Sequence, residues 1–591
     1  MSNNYIYNEA QLEAINHVRG NCAVLATAGS GKTSVIAERV RKLVLKKKVA
    51  AGDILVLTFN KDAAELLAYR IGTTEECSDV KVMTFHALGY NIICRHMGCK
   101  VNLLTDTQQE DLMREVLLEQ GEPFDCENVK SFLSFVSSCK NKGTDIDSLP
   151  EYLYRKVFRN YEDKKTKLGF IDFDDLLIKS VQILKEFSTA RKKLNYKYII
   201  VDEAQDVNCR QIEMLELLNK NNNLFIVGDM LQGIYEWRGS DGSYLGNFAD
   251  THKNAKIVKM NVNYRCKPEI VSYANKFAES ISDSENKHYL PPISVKPAGG
   301  AVIVKRCDDE LHEAELIADI YRNKPQGETM CVLGRTNSQL IVLENILSCE
   351  GIPIRYKESE SYLNIPIVKT ILSYLKLIDD CTDNAAFLNT INTPSRLLEY
   401  GFIAKLKKAD APCLYDAAVE YSKKSSRHKC ELVKFLSYIG NLKKAKYKKV
   451  STYINRLVKD LMLVEYFNRR NYATQEDICN FEAVKTLLYI SKNYSTINDF
   501  LIAMKNNADT YIDGLDFMTI HKSKGLEFDT VVIVGTNTGV LPHWRNNNLE
   551  EEKRLFYVAC TRAKNLLYIL SPRFVNGERA DISPFIERGN V

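Results

Sequence analysis

Apolar positions along this chain follow two alternating rhythms. Short uninterrupted apolar runs are followed by stretches whose apolar residues recur three and four apart, the marks of buried strands and of amphipathic helices. The first such pair is CAVLATAGSGKTSVIAERVRKLV, with a strand predicted at Ala23 to Ala26, a glycine-rich turn, and Val35, Ile36, Val40, Leu43 and Val44 at helical spacing. DILVLTFNKDAAELLAYRI repeats the pattern, and further strands are predicted in YIIVDE (Tyr198 to Glu203), LFIVGD (Leu224 to Asp229) and AKIVKM (Ala255 to Met260). Strands without an exposed face, alternating with helices, imply a parallel sheet covered on both sides.

Residues 90–195 break that rhythm and read as a mainly helical insertion. Strand-then-helix alternation resumes at AVIVKRC, from Ala301, and TMCVLGRTN, from Thr329. It yields to a helical, Lys- and Tyr-rich tract over 384–510, then returns at DFMTIHKSKGLEFDTVVIVG and NLLYILS. The expected organisation is α/β throughout. One domain covers 1–89 and 196–280 around the insertion 90–195, and a second covers 281–383 and 511–591 around the basic helical insertion 384–510.

Composition changes this picture little. At 591 residues the chain exceeds a single core, and length alone suggests about four domains. The net charge of +5 does not by itself imply a polyanionic partner. Its distribution does more, because twelve Lys or Arg residues lie between Lys423 and Lys459 against one acid, Glu431. That tract is either a solvated helix face or a surface that meets phosphates. No apolar run of about eighteen residues occurs, so no membrane partner is expected. Cysteines without CxxC pairs, behind a polar amino terminus, predict reduced thiols in the cytoplasm. Cys94, His96 and Cys99 could form half of a metal site, but no second pair stands near them in sequence, and metal binding there is not expected.

Candidate chemistry begins at ATAGSGKT. Glycines after a strand let backbone N–H groups form a concave cradle for phosphate oxygens at the positive end of the next helix. Ala28, Gly29, Ser30, Gly31, Lys32, Thr33 and Ser34 would line it, with Lys32 on the β- and γ-phosphates and Thr33 on Mg²⁺. Ala26 stands where the general pattern has its first glycine. YIIVDEAQD supplies the matching acids after a strand: Asp202 as second metal ligand and Glu203 to orient and deprotonate the attacking water. Together these predict hydrolysis of a nucleoside triphosphate, with Mg²⁺ as the metal.

Read in order, the chain gives NEAQ, ATAGSGKT, LTFNKDAAEL, TFHALG, DFDDLL, VDEAQD, VGDMLQGIYEWRG, NYR, GRTN, TIHKSKGLEFD and FYVACTRAK. That series resembles the UvrD/Rep family of superfamily 1 DNA helicases from residue 8 to about 570, and is closest in flavour to its helicase IV branch. The resemblance implies two RecA-like motor domains, each with a helical insertion, and ATP held between them. By the same resemblance Gln11 would read the adenine edge, Tyr264 would stack on it, and Glu527 would meet the ribose. Gln232, Arg265 and Arg562 would meet the γ-phosphate, Arg562 being brought by the second domain. Ser34 stands where many members carry an arginine on the other face of the adenine, which would loosen base selectivity.

The resemblance also assigns the strand contacts: Phe59, Asn60, His86, Tyr235, Trp237, Arg238, Asn337, His521 and Lys522 would hold single-stranded DNA and single-strand/duplex junctions. Aromatic rings beside cationic groups suit that task. The implied activity is an ATP-dependent 3′–5′ DNA helicase. The alternative is a DNA-stimulated ATPase that translocates but unwinds only with protein partners, in repair, replication or anti-phage defence.

Overall fold

The computed structural model describes residues 6–122, 126–149, 151–236, 239–240, 242–281, 290–355, 363, 365–396, 398, 400–423, 429–470, 475–506, 514–544, 546, 548–575 and 577–586. The chain forms two compact units. The first comprises Met1–Val302, Ser523–Asp529 and Trp544–Leu567; the second comprises Ile303–Lys522, Thr530–His543 and Tyr568–Val591. The stretch 511–591 is therefore shared between them.

Six strands form the sheet of the first unit: β1 (Cys22–Ala26), β2 (Ile54–Thr58), β3 (Lys81–Thr84), β4 (Tyr198–Val201), β5 (Leu224–Gly228) and β6 (Lys256–Met260). Their order is β3-β2-β4-β5-β1-β6, and every pairing is parallel. Burial alternates with the pleat, as side chains on a strand point to opposite faces. Cys22, Val24, Ile54 and Val56 pack with the helices Glu9–Asn16, Lys32–Leu45 and Lys61–Gly72. Ala23, Leu25, Leu55 and Leu57 pack on the other side with Phe85–Met97, Phe173–Glu186 and Cys209–Leu218. Phe173–Glu186 lies inside the stretch 90–195, yet its Leu177, Val181 and Leu184 belong to the core of the sheet. The separate core of that stretch is smaller and is built from Leu112, Met113, Val116, Val129, Val136, Val157 and Tyr161.

The second sheet contains β7 (Ala301–Cys307), β8 (Met330–Gly334), β9 (Ile354–Arg355), β10 (Leu515–Thr519), β11 (Phe528–Ile533) and β12 (Ala563–Pro572), in the order β7-β12-β11-β8-β10-β9. β8 pairs in parallel with β10 and β11, and β9 pairs in parallel with β10. The helical tract of the second unit has its own core, running from Ile341 and Ile367 to Met504. Its central element is the helix Pro366–Asp379, where Ile367, Val368, Ile371, Tyr374, Leu375, Leu377 and Ile378 are buried and only a narrow edge with Lys369 and Lys376 is exposed. A helix with so wide an apolar face must be largely enclosed, so this one anchors the bundle although it precedes residue 384. Among the described residues, no helix is long and apolar enough to cross a membrane.

Candidate active site

The turn after β1 forms the candidate phosphate cradle. Gly29 and Gly31 both adopt positive φ, +70° and +84°, a region that side chains with a Cβ rarely enter. A Cβ on Gly29 would also fall 2.8 Å from Arg265 Cβ and 2.9 Å from Asn263 Oδ1. Gly31 heads the helix Lys32–Leu45 without any side-chain cap, which leaves the first N–H groups of that helix open to an anion. Lys32, Thr33 and Ser34 form its first turn, partly exposed, while Ala28 and Ser30 are buried beneath.

Neighbours brace this loop. Gln11 Nε2 donates to Ser30 O at 3.0 Å, and Gln11 Oε1 accepts from Asn8 N at 3.0 Å. Asn263 Nδ2 donates to Ala28 O at 3.0 Å, while its Oδ1 accepts from Arg265 N and Cys266 N, each at 2.8 Å. Tyr264 N donates to Gly29 O at 2.9 Å, and the Tyr264 hydroxyl accepts from Asn8 Nδ2 at 2.9 Å, so the half-exposed ring is held beside the loop. Asn8 and Asn263 open the motifs NEAQ and NYR, but nothing in the sequence assigns them these contacts.

Four buried or half-buried acids follow β4 and β5: Asp202, Glu203, Asp206 and Asp229. Glu203 sits at φ +53°, an uncommon conformation for a residue with a side chain and one that clusters at functional sites. Gln205 joins two of the acids, donating from Nε2 to Glu203 Oε2 at 2.6 Å and accepting from Asp229 N at 3.0 Å. Asp229 Oδ2 in turn accepts from Gln232 Nε2 at 2.8 Å. Burial, then the neighbouring Glu203 carboxylate, pushes the Asp202 carboxyl well above its usual range. Burial also opposes ionisation of Glu203, but Lys32 and Lys524 outweigh it and hold that carboxyl low. Burial drives Asp206 up to about 6 even though Lys524 pairs with it.

Arg562 is 1% exposed. It donates to Val558 O at 3.0 Å, Leu526 O at 3.2 Å, Thr561 Oγ1 at 3.0 Å and Gln232 Oε1 at 3.3 Å. Among the described residues no carboxylate lies within ion-pair distance of it. Burial, then the nearby Arg265, lowers its pKa to about 9, so the guanidinium remains charged at neutral pH. Glu203 and Asp229 feel both Lys32 and Arg562, which puts the two cations around one set of acids although 530 positions (562 minus 32) separate them. Arg265 is engaged otherwise: its Nε donates to Glu527 Oε2 at 2.7 Å, and Lys564 flanks the same carboxylate at 3.3 Å. Glu527, expected at a ribose, is the counter-ion of two cations here.

The loop Gln232–Glu236 is gripped from several sides. Lys524 donates to Gln232 O, and its ammonium lies 5.3 Å from the Tyr235 ring centroid. Arg554 Nε donates to Gly233 O at 2.6 Å and the guanidinium pairs with Glu236. Glu551 Oε1 accepts from Glu236 N at 3.0 Å. Within this loop Tyr235 stacks on Phe59, ring centroids 4.6 Å apart, and nearby His86 meets Phe173 edge-on at 6.2 Å. These four rings line a cavity of about 470 Å³, whose other walls include Asn141 and Asn208. Asn60 caps the helix Lys61–Gly72, accepting from Ala63 N at 2.7 Å. Asn337, His521 and Lys522 belong to the second unit, with Asn337 opening the helix Asn337–Cys349. Trp237 and Arg238 lie outside the described residues.

The arrangement of cradle, acids and buried arginine is matched by whole-chain similarity. Residues 7–253 match the family model of the UvrD/REP helicase N-terminal domain, and residues 258–573 match that of the UvrD-like helicase C-terminal domain. The chain belongs to the UvrD/Rep helicase family. Its relatives include the ATP-dependent DNA helicase Rep of Buchnera aphidicola subsp. Schizaphis graminum, 30% identical over 94% of this chain and 92% of that protein. The ATP-dependent DNA helicase PcrA of Staphylococcus epidermidis is 28% identical over 95% of this chain and 83% of its own length. The ATP-dependent DNA helicase Rep of Escherichia coli is 28% identical over 95% and 90% respectively. In this UvrD/Rep helicase, Arg562 falls within the match to the C-terminal domain but packs in the first compact unit.

Proposed function

We infer that this UvrD/Rep helicase is an ATP-driven motor that moves 3′ to 5′ along single-stranded DNA and separates duplexes ahead of it. The observation that carries the reading is Arg562: a buried cation without a carboxylate partner among the described residues, bonded to Gln232 and acting on the same acids as Lys32. A γ-phosphate is the anion such a group lacks. In this reading the cradle from Ala28 to Ser34 holds the phosphates, Gln11 and Tyr264 hold the base, and Glu203 takes the proton of the attacking water. Arg562 and Gln232 meet the charge that develops on the transferred group.

Thr33 and Asp202 would hold Mg²⁺. Asp202 fits the role because its buried carboxyl, set beside Glu203, has no Lys or Arg within ion-pair distance among the described residues and is short of positive charge. Bound there, the metal would supply positive charge against the phosphates. Phe59, His86 and Tyr235 would hold the bases of the strand, at about 1–3 kcal/mol for each stacked base. Tyr235 lies three residues from Gln232 on the gripped loop, so a change at the γ-phosphate would reach the rings through very little chain. The free cysteines fit a reducing cytoplasm.

Arg562→Ala tests the central claim. DNA-stimulated ATP turnover should fall by about 10³-fold or more, while a fluorescent ATP analogue still binds and the melting transition stays cooperative. Turnover near that of the natural chain would sink the assignment.

A further inference from the structure

The helix Cys126–Lys142 of the first insertion ends in two residues that fasten it to the motor. Lys140 is buried among Glu162, Asp172 and Asp175, at 2.6, 2.6 and 3.0 Å, and Lys165 shares all three carboxylates at 2.7 Å. Those carboxylates are the one trio with metal-ligand spacing among the described residues. Two ammonium groups already satisfy them, so the cluster is a pin between the insertion and the helix Phe173–Glu186.

Asn141 does something different. It is 7% exposed, and both ends of its amide are engaged. Nδ2 donates to Asp174 Oδ1 at 2.8 Å and to Ser137 O at 3.0 Å, and Oδ1 accepts from Asn208 Nδ2 at 3.0 Å. The Asn141 carbonyl accepts from Cys209 Sγ at 2.7 Å. Asn208 follows Asp206 by two residues and cannot turn freely. Its Oδ1 is taken by Gln211 N at 2.9 Å, which caps the helix Cys209–Leu218, and its backbone forms a bridge with Ser240, just past the aromatic loop. Gly239 packs so closely that a Cβ on it would lie 3.2 Å from Asn141 Cβ. One buried amide thus joins the exit of the acidic loop, the start of Phe173–Glu186 and the segment after Tyr235. Asn141, Asp174, Asn208 and Ser240 line the same cavity as Phe59, His86 and Tyr235.

We propose that Asn141 is a positioning residue through which a strand in the groove sets the acidic loop for hydrolysis. The proposal rests on the motor reading above. Its basis is physical continuity: a fully satisfied buried amide resists partial rearrangement, because any polar group left unpaired there is costly. A displacement of the groove wall is therefore passed to Asn208 and on to Asp206, Gln205 and Glu203.

The experiment titrates ATP turnover of the full chain with oligo(dT) and reads the stimulation factor and the half-saturating oligonucleotide concentration, with melting temperature alongside. Asn141→Asp sets a carboxylate against Asp174 and should cut the stimulation factor by about tenfold. Asn141→Asp combined with Asp174→Asn rebuilds the amide–carboxylate contact with its poles reversed and still offers an oxygen to Asn208; it should restore stimulation. Asn208→Ser keeps a helix-capping oxygen but deletes the donor to Asn141, so it should reproduce the loss from the other end even if Asn141→Asp fails to fold. Unchanged stimulation in Asn208→Ser, or no recovery in a folded double variant, overturns the proposal. A natural chain that oligo(dT) does not stimulate overturns the motor reading and this proposal together; a stimulated natural chain with unaffected variants overturns this proposal alone.

Discussion

Glu313 is a carboxyl enclosed by the second unit, 3% exposed, with Gly535 N donating to its Oε1 at 2.8 Å. Burial pushes its pKa up to about 8, against the partial relief of that hydrogen bond. The unfolded chain would release this proton near pH 4.3. Between that pH and about 8 the folded state holds a proton that the unfolded state has lost, so stability declines as pH rises through the window. Glu313→Gln keeps an oxygen for Gly535 N–H and removes the ionisation. Its melting temperature should exceed that of the natural chain at pH 8 and match it near pH 5; an equal difference at both would dismiss the argument. Glu313 lay outside any motif, whereas Lys32, Asp202 and Gln232 were legible because each sits in a tight pattern with a chemical rationale. The contacts of Lys524, Arg554 and Asn263 were not, although Lys524 and Asn263 stand inside TIHKSKGLEFD and NYR. The partner of Lys524, Asp206, stands 318 positions away, and no local periodicity encodes such a pairing. Glu527 shows the converse: its motif was legible, but its ion pair with Arg265 spans 262 positions and was not.

Strands β1, β2, β4, β5 and β8 are buried along their whole length, so each stood out as an unbroken apolar run. Two-residue strands such as Asn102–Leu103 and Phe170–Ile171 are too short to leave a period. The helix Pro366–Asp379 is amphipathic with only a narrow polar edge at Lys369 and Lys376, so its period marks a helix but not which bundle it enters. Charge was legible but not its use, and there the structure narrows the choice. Lys443 and Lys444 in the last turn of the helix Lys429–Ala445, and Lys446, Lys448 and Lys449 in the link to Val450–Asp460, are all exposed. None has a carboxylate within ion-pair distance among the described residues. The flanking cations do: Lys434 pairs with Glu431 and Arg456 with Asp460. Lys424 and Arg427 of the same tract lie outside the described residues. Five ammonium groups within seven positions, with little to offset them beyond Asp380 near Lys443, favour a phosphate-binding surface over a merely solvated face. Reversing these five charges should weaken duplex DNA binding and flatten its salt dependence, by about 0.9 in log–log slope for each phosphate that is no longer neutralised. Fluorescence anisotropy across a salt series reads both, and an unchanged slope returns the turn to solvent.

The whole molecule depends on a chain that leaves its first sheet, builds a second, and sends 523–529 and 544–567 back to the first unit. This return was the least legible feature of the sequence. Residues Leu555 to Cys560 are buried on every side, and a helix without an exposed face does not reveal which core it completes. Its consequence is that Lys524, Arg554 and Arg562 all bear on the loop Gln232–Glu236, which also carries Tyr235. On the proposed reading, a strand held by the rings of Phe59, His86 and Tyr235 on a chiral scaffold would be held in one orientation. Movement must then have a single polarity, which the family resemblance gives as 3′ to 5′. On duplexes with a single tail, the purified chain with ATP should displace the partner strand from a 3′ tail and leave the 5′-tailed duplex intact, as a fluorescent strand-release assay would record. Release from the 5′ tail alone would reverse the assigned direction. DNA-stimulated turnover with no release from either substrate would instead favour a translocase that needs partner proteins to unwind, since the ATP site would then be running without its motion being converted into strand separation.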